Sequence, residues 1–386
     1  KDAQENGQKS ASQSTSDFRR PALTKMVKAT IAMAMACEED PCAGLPENRY
    51  LAQSHNVPDL GLFDRSLASL TAEEKIQLAL DTEAAARNYD ERITNSEGAS
   101  FSDSNGITVY ANSREFLESY QGSQASLGVA VVASEDGKMQ VNYWQSSSRS
   151  FNALESPAAI GTKAAQRTLA QLGAKPVKSQ DVPVVFDPEM AAQLLSQFVS
   201  ATSGTNIYRK SSFLLDKLGQ VVASKLVTII DDPLMPGKLG SRPFDGEGMP
   251  LKLRSIVSEG KLETYLINSY AARKLNCEPN SGSTGNVYLK AGNQTPEEII
   301  ASVKNGLYLT SVSGPGFNPV TGDYSLGASG MWIEDGKLAF PVSGITIASN
   351  LLDMFTGILA VGDDLDFHST TSAPTILIDK MSIAGE

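Results

Sequence analysis

Histidine and cysteine are the residue types best suited to zinc binding or covalent catalysis, and this 386-residue chain has few of either. Its two histidines are His55 and His368. A catalytic zinc ion usually takes three protein ligands, and recognisable sites place two of them on one helix or turn. Neither histidine has a second His, Cys or Glu at such a spacing. We interpret His55 as a solvated loop histidine and His368, which follows Asp363-Asp364-Leu365-Asp366, as part of a surface charge pair.

The three cysteines, Cys37, Cys42 and Cys277, do not indicate a catalytic site. None has a histidine nearby in sequence, and the chain lacks the Gly-x-Ser-x-Gly turn of serine hydrolases. We interpret the three thiols as small buried hydrophobic groups. Their odd number and irregular spacing are not those of a disulfide framework, so we expect a reducing compartment and a cytoplasmic protein.

A glycine-rich stretch, residues 314–330, is the most informative candidate for binding. Glycines allow positive φ angles and close approach by a ligand or a neighbouring chain. One interpretation is a structural loop at a sheet corner. The other is a groove that takes up an extended peptide by strand addition, through main-chain groups of Gly327, Ala328, Ser329 and Gly330.

The helices that must position these residues have clear start signals. Thr71 with Glu74 predicts a capping box, and Asp187 followed by Pro188 predicts an N-cap with proline in the first turn. Together with similar start and stop signals elsewhere, these predict six helices. They lie over about 17–37, 71–89, 156–172, from 187 onward, over 295–306 and from 350 onward.

Three acidic-Gly-Lys turns lie between β-rich runs and predict antiparallel hairpins, at 135–138, 258–261 and 334–337. We therefore expect an α+β protein. Residues 1–180 would form an N-terminal domain of helices and antiparallel sheet, whose start we expect to precede Lys1. Residues 181–386 would form a β-rich, barrel-like C-terminal domain.

Composition excludes several function classes. Lys and Arg total 33 against 44 Asp and Glu, a formal charge of −11, and there is no basic cluster. A nucleic-acid-binding surface needs such a cluster, so we expect no direct contact with nucleic acid. No stretch approaches the roughly 18 apolar residues of a membrane span. The apolar segment 28–37 suggests a packed amphipathic helix rather than a signal peptide, because a long polar run precedes it.

Several long motifs resemble the PmbA (TldE) branch of the TldD/PmbA metallopeptidase family. The longest is Asn318-Pro-Val-Thr-Gly-Asp-Tyr-Ser-x-Gly-Ala-Ser-Gly330, followed by Trp332-Ile-Glu-Asp-Gly-Lys-Leu338. The others are similar in the same order along the chain and lie at 12–17, 38–44, 244–250, 283–286, 347–354 and 381–386. This resemblance implies a peptide-processing system and a family label as modulator of DNA gyrase.

The catalytic TldD branch of that family carries His-Glu-x-x-x-His on a helix. By resemblance, the matching positions are Ser196, Gln197 and Ala201. None of these side chains supplies an imidazole, and glutamine cannot act as the general base for zinc-bound water. On a regular helix the first and last positions lie about 140° apart, so a π-bulge would be needed to bring them to one face. We expect no metal bound by this chain and no catalytic residue in it.

Three hypotheses follow from these patterns. The first is a non-catalytic subunit that pairs with a TldD-type zinc subunit and helps to form a peptide-binding chamber, with the zinc held by the partner. The second is an independent homodimer that binds peptides or modulates gyrase without proteolysis. The third is a hydrolase with an unrecognised active site, which two isolated histidines do not favour.

Overall fold

The computed structural model describes residues 7–53 and 59–385. His55 therefore lies outside the described residues. The helices are α1 (Arg20–Ala36), α2 (Arg65–Ala68), α3 (Ala72–Arg87), α4 (Pro157–Leu169), α5 (Pro188–Ala201), α6 (Gly204–Tyr208), α7 (Ser269–Leu275), α8 (Pro296–Ala301) and α9 (Leu351–Thr356). The strands are β1 (Ile93–Ala111), β2 (Leu117–Glu135), β3 (Lys138–Ser148), β4 (Gln180–Phe186), β5 (Ile229–Asp232), β6 (Arg254–Ser258), β7 (Lys261–Leu262), β8 (Asn286–Leu289), β9 (Asn305–Ser313), β10 (Asp323–Glu334), β11 (Lys337–Asn350), β12 (Ile358–Val361), β13 (Thr371–Ser372) and β14 (Ile376–Ala384).

The first sheet is a three-stranded antiparallel meander, β1-β2-β3, covered on one face by α3 and α4. Alternate residues of β2, among them Leu127, Val129 and Val131, are buried against these helices. Gly161 lets the two helices touch, because a Cβ there would lie 2.6 Å from the Thr82 carbonyl oxygen. This half of the molecule is the predicted combination of helices and antiparallel sheet.

The second sheet closes on itself. Its strand order is β11-β10-β9-β4-β14, and β14 pairs back with β11 through Ile347 and Ile383, which makes a five-stranded barrel with β12 attached to β14. The β4–β9 pair is parallel and the other pairs are antiparallel. The barrel confirms the α+β class and the β-rich, barrel-like second half.

A third sheet, β13-β8-β5-β6-β7, lies beside the barrel, and α5 packs against both β9 and β13. One continuous core joins these layers, with fully buried side chains from α5, α9 and the strands. Helix α5, which carries the positions of interest, is therefore held between two sheets. The division at residues 180 and 181 stays a prediction.

The predicted start signals are confirmed at four helices, whereas α1 begins at Arg20 without a side-chain cap. Thr71 and Thr295 each form a complete capping box, and the side chains of Asp187 and Asn350 cap α5 and α9. All three predicted hairpin turns exist, and each has two consecutive residues with positive φ, such as Asp136 at 52° and Gly137 at 74°.

Helix ends and packing differ from prediction in three places. The helix that begins at Thr295 ends at Ala301 rather than at Gly306, because Gly306 already belongs to β9. α4 ends at Leu169, and a turn leads on to Gly173 at φ 72°. α1 is a helix as predicted, but none of its residues is buried, so the packing expected for 28–37 is wrong within the described residues.

The prediction for the cysteines is also wrong. Cys37 and Cys277 are exposed and Cys42 is half-buried, and all three thiols are free. Although Cys277 is exposed, partial desolvation raises the pKa of its thiol, which makes it a poorer nucleophile at neutral pH. None of the helices in the described ranges combines the length and apolar character needed to cross a membrane.

Candidate functional site

α5 carries the three positions that match the zinc motif, and its packing decides where they point. Asp187 caps the helix by accepting a hydrogen bond from the Met190 N–H (2.8 Å), and Pro188 occupies the first turn. One face is buried in the core through Leu194, Leu195 and Phe198. The ring of Phe198 lies 4.2 Å from that of Phe355 on α9, measured between centroids, which fixes the rotation of α5.

This rotation separates the three positions. Ser196 is exposed, Gln197 is half-buried, and Ala201 is fully buried at 0% exposure. The helix is regular from Pro188 to Ala201 and has no π-bulge. The Gln197 Oε1 atom is buried and has no hydrogen-bonding partner among the described residues. The structure therefore does not bring Ser196, Gln197 and Ala201 together.

The side-chain groups at these positions do not fit zinc. They are a hydroxyl, an amide and a methyl group, whereas protein zinc sites use imidazole, thiolate and carboxylate ligands. Across residues 7–53 and 59–385, no group of three or more His, Cys, Asp or Glu side chains is arranged to hold a metal ion. We therefore derive no catalytic step through a metal on this helix.

The end of α5 is anchored to the segment at Leu266 and to α7. The Gly204 N–H donates to the Leu266 carbonyl oxygen (2.7 Å), and the Leu266 N–H donates to Thr202 (3.0 Å). A Cβ at Gly204 would lie 2.7 Å from the Ala271 Cβ. These contacts make the segment after Ala201 a rigid part of the core rather than an open metal-binding turn.

The four glycine-rich candidates lie in β10, between β9 and β11. Gly327 pairs with Ser313 on one side and Thr346 on the other, and Ala328 and Gly330 are also paired on both sides. A Cβ at Gly330 would lie 2.0 Å from the Tyr308 carbonyl oxygen. The prediction of strand addition at Gly327, Ala328, Ser329 and Gly330 is therefore wrong. The neighbouring strands β9 and β11 already occupy both edges of β10. A peptide contact with the outward-facing Gly327 and Ser329 stays a prediction.

The loop before β10 matches the structural interpretation. The Asn318 N–H donates to Asp323, the Gly322 N–H donates back to Asn318, and the Phe213 N–H donates to Pro319. Asn350, which caps α9, also donates to the Thr321 carbonyl oxygen (2.9 Å). The motifs at 318–330 and 347–354 are thus two parts of one hydrogen-bonded corner.

A cleft of about 480 Å³ opens beside this corner, where β11, α9 and β14 meet. Its wall includes Asp181, Asp353 and Asp379. Asp181 accepts a hydrogen bond from Ser382 (2.6 Å) and pairs with Lys380 (2.9 Å), and these contacts lower its pKa. Since the charge of Asp181 is compensated, its position in the cleft does not identify a ligand.

His368 behaves as predicted. Its Nε2 lies 3.0 Å from the Asp366 carboxylate in an exposed pair, and its ring packs edge-on against Trp144 at 5.8 Å. The neighbouring Asp364 is used structurally, since it accepts hydrogen bonds from the N–H and hydroxyl of Thr375. Within the acidic run 363–366, Asp366 therefore forms a surface pair with His368, and Asp364 stabilises a turn.

The charged cluster at the start of α5 was not predicted from the sequence. Arg167 on α4 lies 2.5 Å from Glu189 and 4.0 Å from Asp187, atom to atom. Burial raises the pKa of Asp187 to about 6, and this effect outweighs the capping hydrogen bond and the nearby guanidinium. The capping signal at Asp187 was visible in the sequence, but the partner on α4 was not.

Comparison with known proteins gives a consistent picture. Residues 65–172 match the PmbA/TldA metallopeptidase central domain and residues 179–385 match the PmbA/TldA metallopeptidase C-terminal domain. The chain is 39% identical to a metalloprotease PmbA homolog of Haemophilus influenzae over 383 residues, 98% of this chain and 84% of that protein. A metalloprotease TldD homolog of the same organism is 26% identical over 319 residues, 77% of this chain and 66% of that protein.

A solved structure is similar along nearly the whole chain. It is that of a protein from Bacteroides thetaiotaomicron provisionally assigned as a modulator of DNA gyrase. Its TM-score is 0.93 at 31% identity, with 98% of this chain and 86% of that chain covered.

Proposed function

Since the chain belongs to the PmbA/TldD metallopeptidase family, we propose that it is the non-catalytic subunit of a two-component peptidase. In this role it pairs with a TldD-type subunit that holds the zinc, and it helps to enclose peptide substrates. The system would mature peptide precursors and degrade small unfolded proteins in the cytoplasm.

The observation that carries this proposal is the set of side chains on α5. A hydroxyl, an amide and a methyl group occupy Ser196, Gln197 and Ala201, the positions that correspond to the zinc ligands and general base of TldD. The fold around them is well packed, with Phe198 and Ala201 fully buried. A structured helix without usable ligands is what we expect of a subunit whose fold serves assembly rather than chemistry.

Two paralogues in one organism support the pairing. Haemophilus influenzae has both a PmbA homolog at 39% identity to this chain and a TldD homolog at 26%. We infer that this chain takes the PmbA role and that its partner is a TldD-type protein.

The test is zinc content and peptidase activity, measured on the purified chain alone, on a TldD-type subunit alone and on their mixture. We expect this chain to lack stoichiometric zinc and activity, and the mixture to cleave an unfolded peptide in a chelator-sensitive way. The matched control is a TldD-type subunit whose motif histidines are replaced by alanine, which should leave the mixture inactive. Stoichiometric zinc with cleavage by this chain alone would contradict the proposal.

A second candidate is a homodimer that modulates gyrase without proteolysis, which the assignment of the Bacteroides relative favours. The net charge of −11 opposes direct binding to DNA, so such an effect would act on the gyrase protein. Light scattering of the purified chain, with a supercoiling assay in its presence, separates the two candidates. A stable homodimer that inhibits supercoiling and ignores the TldD-type subunit would favour the second.

A further inference from the structure

The β1–β2 ribbon extends beyond the third strand of its sheet. β1 and β2 pair from Ala111 and Leu117 at the tip down to Ile93 and Ala133, whereas β3 pairs with β2 only from Ala125 onward. Over residues 117–124, the edge of β2 that faces away from β1 has no strand beside it within the part of the chain that the structure describes.

The direction of the main chain along this edge follows from one hydrogen bond. The Ser123 N–H donates to the Leu62 carbonyl oxygen (2.9 Å), on the side away from β1. In an antiparallel strand the N–H and C=O groups of every second residue point to the same side. The main-chain groups of Ser119 and Gln121 therefore also point outward, and neither residue has a partner there among residues 7–53 and 59–385. Both residues are exposed.

A cavity of about 380 Å³ lies directly against this edge. Its walls are residues 118–121 of β2, the segment 59–63, Ala52, and Pro243 with Phe244. The ring of Phe244 is fixed by edge-on contacts with Tyr120 and Phe116, both at 5.5 Å between centroids. The described lining carries two carboxylates, Asp59 and Glu118, and no lysine or arginine.

Half-buried Arg149 fixes the walls relative to each other. Its guanidinium donates to the carbonyl oxygens of Lys238 (2.9 Å) and Leu239 (2.7 Å), which lead to Phe244. It also donates to Ser241 (3.2 Å) and to Ser123 on β2 (3.4 Å). The cavity and the open strand edge are thus parts of one preorganised surface.

We propose that this edge is a docking site for an extended peptide with apolar side chains on one face and cationic residues between them. The peptide pairs with β2 through the N–H and C=O groups of Ser119 and Gln121. An apolar side chain enters the cavity against Tyr120 and Phe244, and the cationic residues face Asp59 and Glu118. The inference rests on the peptide-handling role proposed above, and it places strand addition on the ribbon rather than on the fully paired β10.

The experiment measures fluorescence anisotropy of a fluorescein-labelled heptapeptide, Lys-Leu-Lys-Phe-Lys-Leu-Lys, with this chain alone. Ser119→Pro removes an outward N–H but leaves the β1 ladder intact, since proline is tolerated where the N–H faces solvent. Loss of this N–H should weaken binding about tenfold or more. Gln121→Pro is an independent second variant with the same expected result.

The matched control is Val109→Pro on β1. Val109 lies directly opposite Ser119, and its N–H points to the other edge of the ribbon. We expect its binding to stay within about threefold of the parent chain. Thermal melts of each variant establish that the ribbon is folded before binding is compared. The double variant Asp59→Asn with Glu118→Gln should weaken binding of the lysine peptide at low salt.

Three results would overturn the inference: no binding of the heptapeptide by the parent chain up to about 1 mM, parent-like binding by folded proline variants on β2, or equal loss in Val109→Pro. Because the TldD-type subunit is absent from this assay, failure of peptide binding at this edge can be distinguished from failure of the proposed subunit role. Binding without stimulation of cleavage in the mixture would remove only the subunit role.

Discussion

Ser196 and Ala201 lie on different faces of α5, the first exposed to solvent and the second fully buried beneath the helix. The regular geometry of an α-helix places residues five apart at about 140° to each other. Phe198 lies between them in sequence and is buried. It holds this orientation because its ring packs on that of Phe355. Two side chains at these positions therefore cannot reach one metal ion without local rearrangement of the helix.

Introducing the histidines and glutamate of the TldD motif at these positions should therefore not create a zinc site. In the triple variant Ser196→His, Gln197→Glu and Ala201→His, we expect less than one zinc per chain by elemental analysis. The buried histidine at 201 should also destabilise the chain by about 2 kcal/mol or more, since it overfills a packed site with a polar ring. Ser196→His alone, at an exposed position, should change stability by no more than about 0.5 kcal/mol. One tightly bound zinc per chain would show that α5 can rearrange.

Gln197 offers a test of the unsatisfied polar atom on the same helix. Its Oε1 is buried without a partner among the described residues, which costs free energy in the folded state. Gln197→Met should therefore raise the free energy of unfolding by about 1 kcal/mol, measured by urea denaturation. The control is Gln193→Met, an exposed position on α5, where we expect little change. Destabilisation by Gln197→Met would mean that Oε1 does have a partner in solution.

Local structure was predictable from the sequence because its determinants are local. Thr71 with Glu74, and Thr295 with Glu298, satisfy each other's main-chain and side-chain groups within one turn. The three hairpin turns were predictable for the same reason, since Asp-Gly and Glu-Gly pairs accept the positive φ that a two-residue turn requires.

The features that decide function depend on long-range pairing and were not predictable. Residues 314–330 are rich in glycine, but only the register of β9 and β11 shows that both edges of Gly327 and Gly330 are occupied. Likewise, the open edge at Ser119 exists because β3 stops pairing at Ala125, a consequence of strand length that no motif records. The end of the helix after Thr295 was misplaced because Gly306 is recruited into the barrel.

Two glycines in equivalent hairpin turns should respond differently to alanine. Gly137 and Gly336 have φ angles of 74° and 76°. A Cβ at Gly137 would meet none of the described residues within 4 Å, whereas at Gly336 it would lie 2.7 Å from the Ala301 carbonyl oxygen at the end of α8. Gly137→Ala should cost about 1 kcal/mol for the strained φ, and Gly336→Ala at least about 1 kcal/mol more for the clash. Equal melting temperatures for the two variants would contradict this account.

Asp187 predicts how stability depends on pH. Burial raises its pKa from 3.8 to about 6, although Met190 donates to it and Arg167 lies 4.0 Å away. An unfolded chain releases this proton at about pH 4. Between the two pKa values the folded chain holds a proton that the unfolded chain has lost. The contribution of Asp187 to stability is therefore fully present below about pH 4, falls as the pH rises, and is lost above about pH 6.

Asp187→Asn isolates this effect, because asparagine is also a good N-cap but does not titrate. The free energy of unfolding of the parent chain should fall by about 3 kcal/mol more than that of the variant between pH 4 and pH 7. The remaining carboxylates titrate equally in both proteins and cancel in the comparison. Urea denaturation at half-unit pH steps measures the difference, and parallel curves for the two proteins would show that Asp187 is ionised in the folded state throughout this range. In that case the pair formed with Arg167, rather than desolvation, would control the start of α5.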